Sequence, residues 1–352
     1  MTLSPPAPAR PRTQAPRHRP NRVSRRTAGW FVCLALAVLL FLVSLGTGAR
    51  GIPLDAVWQS LVHRDTTADS VIVWQLRMPR TVLACVVGAA LGVAGVVMQA
   101  VIRNPLAEPG LVGVNAGASF AVVVAISAFG LTSPADYVWF AFPGSLAAAS
   151  VVYGLTVRAS RTGQHIRLVL AGAAMTATLG ACTGVLTTFN TQAFDSYRFW
   201  VVGSLQDRGT AALAASAPFV ALGLALALPL GPALNALALG DDTSTALGLR
   251  TGTVRVAGFA AVMLLCGAAT AAAGPIGFVG LVVPHALRML LGPDVRWLLV
   301  YAVPAGAALV LAGDVAGRLI APPGEIEAGI VTAFIGAPVL MWLVNQRKGV
   351  RL

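Results

Sequence analysis

The chain of 352 residues is 57% hydrophobic and only 11% charged, with a mean hydropathy of +0.77. A soluble domain carries about 25% charged residues, so a dissolved globule is excluded. A polytopic membrane protein is expected, each span needing roughly 20 apolar residues. The net charge of +12 sits at the chain ends and between apolar runs, not in a basic stripe interleaved with aromatics. That distribution points to lipid headgroups and gives no nucleic-acid partner.

Taken in chain order, residues 1–27 are rich in Pro and Arg and are expected to form a disordered, basic cytoplasmic tail. Tail and following apolar run superficially imitate a signal peptide, but no small-x-small cleavage site follows, so 30–49 is read as a retained first span. Further apolar windows fall at 82–102, 111–130, 137–157, 168–189, 211–231, 256–273, 275–291, 298–317 and 328–344, making ten spans within a membrane domain of residues 28–346. Residues 347–352 form a second basic cytoplasmic tail. With both termini inside, eighteen of the 25 Lys and Arg residues lie on the cytoplasmic side and seven outside, as the positive-inside rule requires. "GAALGVAG" (88–95) and "GAATAAAG" (267–274) hint at an inverted repeat, because their spans run in opposite directions. Cys33, Cys85, Cys182 and Cys266 each fall inside an apolar run with no Cys-x-x-Cys spacing, and read as small hydrophobes.

Transport is the default task of ten spans, and the question becomes what drives it. A P-loop needs a lysine after its glycines to reach the phosphates. The only lysine is Lys348, near the C-terminus, so the chain has no P-loop of its own. An ion-coupled secondary transporter is the alternative reading, but it needs ionisable groups within its spans. Glu108 lies between Pro105 and Pro109, and Asp314 lies four residues before Arg318, a spacing that permits an ion pair on one helix face. The balance favours a pathway driven by a separate ATPase.

Four stretches carry a resemblance: "VWQLRMPRTVLACVVGAALGVAGVVMQAVIRNPLAEPGLVG" (73–113), "LALGDDTSTALGL" (237–249), "GPIGFVGLVVPHALR" (274–288) and "GEIEAGIVTAFIGAPVLMWL" (324–343). Together they resemble the FecCD family, permease subunits of ABC importers for iron–siderophore complexes, haem and cobalamin. The resemblance runs from about residue 30 to the C-terminus. It implies an all-α permease of the inner (cytoplasmic) membrane that performs no chemistry on its cargo and carries no cofactor. ATP-Mg would reside on two copies of an ABC ATPase subunit. A second permease copy or sister permease and an extracytoplasmic substrate-binding protein would complete the assembly, with an iron–siderophore-type chelate as cargo.

Each stretch also has a reading of its own. In "IRNPLAEPG" two prolines and Asn104 dictate an irregular turn. The resemblance makes Asn104, Pro105 and Leu106 gate residues at the inner mouth, together with Pro275 and Gly277 of the interrupted span. The second loop at that mouth would be 160–167. In 237–252, Asp241 or Asp242 can cap a short helix and Gly248 or Gly252 can end it. Within the coupling region 234–254 the resemblance assigns ATPase docking to Gly240, Asp241, Ala246, Leu247 and Gly248. In 274–288, Pro275 and Pro284 are expected to kink or interrupt the helix. Gly274, Gly277 and Gly280 would leave a smooth packing strip, and Arg288 would reach the headgroups one turn after a structural His285. Arg77, Arg80 and Arg318 oppose the positive-inside trend, and the resemblance implies that they dock paired carboxylates of the binding protein.

Overall fold

The computed structural model describes residues 22–48, 50–131, 133–157, 164–206, 208–322 and 324–348, and no strand occurs among them. Most of the tails, and residues 160–163 of the expected second gate loop, lie outside the described residues. The helices in chain order are α1 (Arg22–Gly46), α2 (Leu54–Val62), α3 (Ala68–Val71), α4 (Met78–Ile102), α5 (Val114–Phe129), α6 (Pro134–Val157), α7 (Gln164–Phe189) and α8 (Thr191–Val201). They continue with α9 (Gly209–Ala227), α10 (Gly231–Leu237), α11 (Asp241–Ala246), α12 (Thr251–Ala273), α13 (Val279–Leu291), α14 (Val295–Ile320) and α15 (Ala328–Lys348). A π-helical stretch, Ile72–Arg77, joins α3 to α4 without a break.

Seven of the described helices are long and apolar enough to cross a membrane, and three shorter apolar ones are Val114–Phe129, Val279–Leu291 and Ala328–Leu343. Each of the ten apolar windows in the sequence falls on one of these. The first helix starts earlier than expected: Arg22–Thr27 are helical, where a disordered tail was anticipated. Long-range contacts explain the extension. The Arg26 guanidinium lies 3.5 Å from Asp294 and over the Trp297 ring, and Tyr301 donates to the Arg26 carbonyl.

Burial ranks the helices. In the stretch Ala68–Ile102 83% of the apolar window is buried, against 17% for α1 and for α7. Helix α4 is therefore the axis of the bundle, with α9, α12, α13 and α14 packed around it. Lipid tails are as apolar as Leu, so helices associate in a membrane through close packing, and small residues allow it. Gly88 of α4 lies directly on the backbone of Gly306 in α14, and Gly95 on that of Gly280 in α13. The segments 88–95 and 267–274 belong to α4 and to the end of α12 with its cap Gly274, and these two helices pack together.

The opening of the 274–288 stretch departs from expectation. Gly274 and Gly277 lie in a non-helical break, so they form no common strip with Gly280. Pro275 sits in that break, whereas Pro284 is accommodated inside a continuous α13. Phe278 closes the break in the left-handed conformation, φ 67°. Among the cysteines Cys266 is buried and Cys182 exposed, and all four are unpaired.

Adding a side chain at the closest crossing tests this architecture. Gly95→Val drives methyl groups into the backbone of Gly280; overpacking typically costs about 1–3 kcal/mol. Thermal unfolding in detergent is expected to show a clear loss of stability for this variant. Gly154→Ala, whose added Cβ meets nothing within 4 Å, is expected to leave the melting temperature unchanged or raised.

Candidate functional site

At the N-terminal end of α4, Arg80 and Arg318 share one network with Asp314 and Glu325, and Arg77 lies close by. Arg80 donates through Nε and Nη2 to Asp314 Oδ1 at 3.0 and 2.7 Å, and through Nη1 to Glu325 Oε2 at 2.7 Å. Arg318 donates through Nη2 to Asp314 Oδ2 at 2.6 Å, which is the i,i+4 pair its spacing permitted. Its remaining N–H groups reach the Ser44 and Thr47 carbonyls at 2.9 and 2.8 Å and the Ser44 hydroxyl at 2.6 Å. Arg77 donates to the carbonyls of Leu45 and Arg50. The side chain of Asp314 has no exposure and that of Arg318 only 2%. Arg77 and Arg318 each spend their guanidinium N–H groups on the chain's own acceptors. Arg80 is 13% exposed and its partner Glu325 20%. Those two border a cavity of about 540 Å³, which Arg50, Arg77, Gln206 and Arg318 also line.

At the opposite end, α11 stands on the surface. Ser244 is its buried foot, donating to the Ala236 carbonyl at 2.7 Å. Asp241, Ala246 and Gly248 are exposed, and Leu247 is 66% exposed. Neither aspartate caps the helix, contrary to expectation: the N-cap is Gly240, with Asp241 and Asp242 in the first turn. The C-terminus is a Schellman closure, with Leu249 N–H donating to Ser244 O and Gly248 N–H to Thr245 O while Gly248 takes φ +81°. Asp241 accepts from Arg103, just beyond α4, and from Arg255 of α12 at 2.8 and 2.9 Å. Burial pushes its carboxyl up, but Arg255 and then Arg103 outweigh burial and hold it below the usual carboxylate range. Nearby, Asp294 opens α14; bonds from Arg296 and Asn235 outweigh its burial and hold it at about 2.

The turn 103–108 leaves α4 at the same end as α11. Asn104 Oδ1 accepts from Leu106 N–H at 3.0 Å, a side-chain turn that leaves the segment non-helical as its prolines dictate. Asn104, Pro105 and Leu106 are half-buried, and so are Pro275 and Gly277. Glu108 brings the two irregular segments together: its Oε1 accepts from Phe278 N–H at 2.6 Å, at the start of α13. Arg288 is also corrected. It turns inward and donates to Gln99 of α4, instead of reaching the headgroups. His285 packs edge-on against Trp342, ring centroids 5.9 Å apart, in keeping with a structural residue. Arg103, Arg255 and Glu108 escaped the sequence reading as site residues. The signal was present in Glu108, an acid between two prolines in an apolar chain.

The family model for the FecCD transport family matches residues 36–346. The chain belongs to the FecCD transport family. This FecCD permease is 42% identical over 314 residues to the ferric enterobactin transport system permease protein of Escherichia coli (strain K12), covering 89% of this chain and 94% of that one. It is 36% identical to the cobalamin import system permease protein of Halobacterium salinarum, covering 79% and 74%. Among solved structures, an inward-facing metal-chelate type ABC transporter superposes with a TM-score of 0.77 at 28% identity, covering 91% of this chain and 99% of that one. The FecCD permease is thus a multi-pass cell-membrane protein and the permease component of an ABC importer.

The network around Asp314 makes a stability prediction. Removing one partner of a buried ion pair typically costs about 3–5 kcal/mol, because the other charge is stranded. Arg318→Ala is expected to destabilise the bundle on that scale in thermal unfolding. Adding Asp314→Asn should recover part of the loss, so the two changes will be strongly non-additive.

Proposed function

We propose that this FecCD permease moves an iron–siderophore-type chelate across the membrane as one of two permease copies lining a single pathway. Two copies of an ATP-hydrolysing subunit, carrying ATP-Mg, dock on α11, and an extracytoplasmic binding protein delivers the chelate to the outer cavity. The observation that carries the reading is the state of α11. A helix of six residues is held from beneath by Ser244, yet it leaves Leu247 66% exposed at its end. A lone Leu presented on a rigid foot suits insertion into a partner's groove better than it suits water. The cargo assignment is supported by the name of the relative at 42% identity. The second copy has exposed apolar faces available to it on α7 and α15, including Phe334 and Met341.

Leu247→Asp puts a charge into that apolar contact. It is expected to abolish both co-purification of the ATPase subunit and uptake of radio-iron-labelled ferric enterobactin, while the permease still inserts. Undiminished ATPase binding would remove α11 from the interface. Uptake of labelled haem or cobalamin in place of the ferric chelate would redirect the cargo assignment.

The outer cavity gives a second test. Arg50, Arg77, Arg80 and Arg318 line it with Glu325 as the one lining carboxylate, so the cavity offers positive charge to an acidic partner. Arg80 is the exchangeable member, since Glu325 is its most accessible acceptor. Arg80→Glu is expected to weaken binding-protein affinity in lipid discs by at least about tenfold, with a marked salt dependence. Glu325→Gln, which removes the internal competitor, should tighten it. Equal affinity in both variants would place docking elsewhere.

A further inference from the structure

Two non-glycine residues among the described ones have a positive φ, Arg103 and Phe278, and they lie at the two ends of one connected path. Arg103 ends α4 at φ 54°, a conformation that L-residues adopt rarely and that persists where surroundings fix it. Its guanidinium is spent on Asp241 in the first turn of α11. The next residues along the chain are Asn104, Pro105 and Leu106, and the turn ends at Glu108, which holds the Phe278 N–H at the start of α13. The same Asp241 carboxylate is gripped by Arg255 from α12, a helix whose apolar window is 72% buried. One carboxylate on the exposed helix therefore faces a partner on a fixed helix and a partner at the root of an irregular turn.

We propose that the Asp241–Arg103 pair is the link through which displacement of α11 reaches the 104–108 turn, with Glu108 passing it to the N-terminal end of α13. Arg103 is a positioning residue of transport, and Arg255 supplies the fixed reference against which the carboxylate moves. Arg103 closes α4 in the left-handed conformation, and the exposed ion pair it makes there contributes little to stability. Transmission needs only that two discrete arrangements differ in this contact. The inference rests on the reading that α11 docks an ATPase subunit.

The test uses the full assembly of permease, ATPase subunit and binding protein in lipid discs. The four native cysteines are replaced by alanine, and Leu106→Cys serves as reporter for a membrane-impermeant maleimide. ATP-Mg is expected to change the labelling rate of the reporter. Arg103→Gln and Asp241→Asn are each expected to abolish that change, and Arg103→Lys, which retains the charge, to preserve it. The Arg103→Gln permease should keep its ATPase subunit, which also shows that it is folded. Labelling that still responds to ATP-Mg in Arg103→Gln overturns the link, as does loss of the ATPase subunit from that variant. A reporter indifferent to ATP-Mg in the otherwise unchanged assembly overturns the link and leaves the docking of α11 standing. Failure of the unchanged permease to hold an ATPase subunit overturns the docking reading and the link together.

Discussion

Close backbone contact along α4 is the constraint on which the remaining structure depends. A helix of 25 residues is roughly 37 Å long, and α4 is buried along almost all of it. Only small residues let it be surrounded so tightly: Gly88 meets Gly306, and Gly95 meets Gly280. With no hydrophobic force between helices in lipid, these contacts supply the association energy through dispersion. A rigid, buried axis has a second consequence. Whatever is attached to its two ends is held at a fixed separation, and both charged clusters of the protein are attached there.

The cluster around Asp314 illustrates the cost of charge in such a place. Burying an unpaired ion is prohibitive, and even a paired one gains little over an apolar replacement. Asp314 is tolerated because each of its oxygens faces a guanidinium, and Arg318 because the carbonyls of Ser44 and Thr47 take its other protons. The arrangement ties α1, α4 and α14 together at the N-terminal end of α4. It also leaves four arginines and Glu325 lining a cavity.

Much of this was legible in the sequence, and the exceptions share a cause. Ten apolar windows located ten helices, because length and hydropathy are local properties. The Asp314–Arg318 pair followed from i,i+4 spacing, and the open turn at 104–108 from its prolines. What was misread depended on partners far away in sequence. Arg318 is consumed by carbonyls more than 270 positions earlier, and Arg26 is drawn into a helix by Asp294 and Tyr301. Arg288 has Gln99 as its partner instead of a lipid headgroup. A positive residue at a helix end looks the same in sequence whether it snorkels or turns inward, and only packing decides.

Irregular backbone within a membrane is tolerated only where protein or water covers it. Here two such segments cover each other. The prolines of 103–109 cannot continue α4, and Gly274 through Phe278 cannot join α12 to α13, so both leave backbone groups to satisfy. Glu108 answers one of them by capping α13 from the other segment, and Pro109 seals the contact against Gly280. The two breaks are therefore one structural unit, held together by a single carboxylate and flanked by rigid helices. Motion confined to that unit would alter the pathway without disturbing the packing of α4, and so the same glycine contacts that make the bundle rigid also decide where it can move.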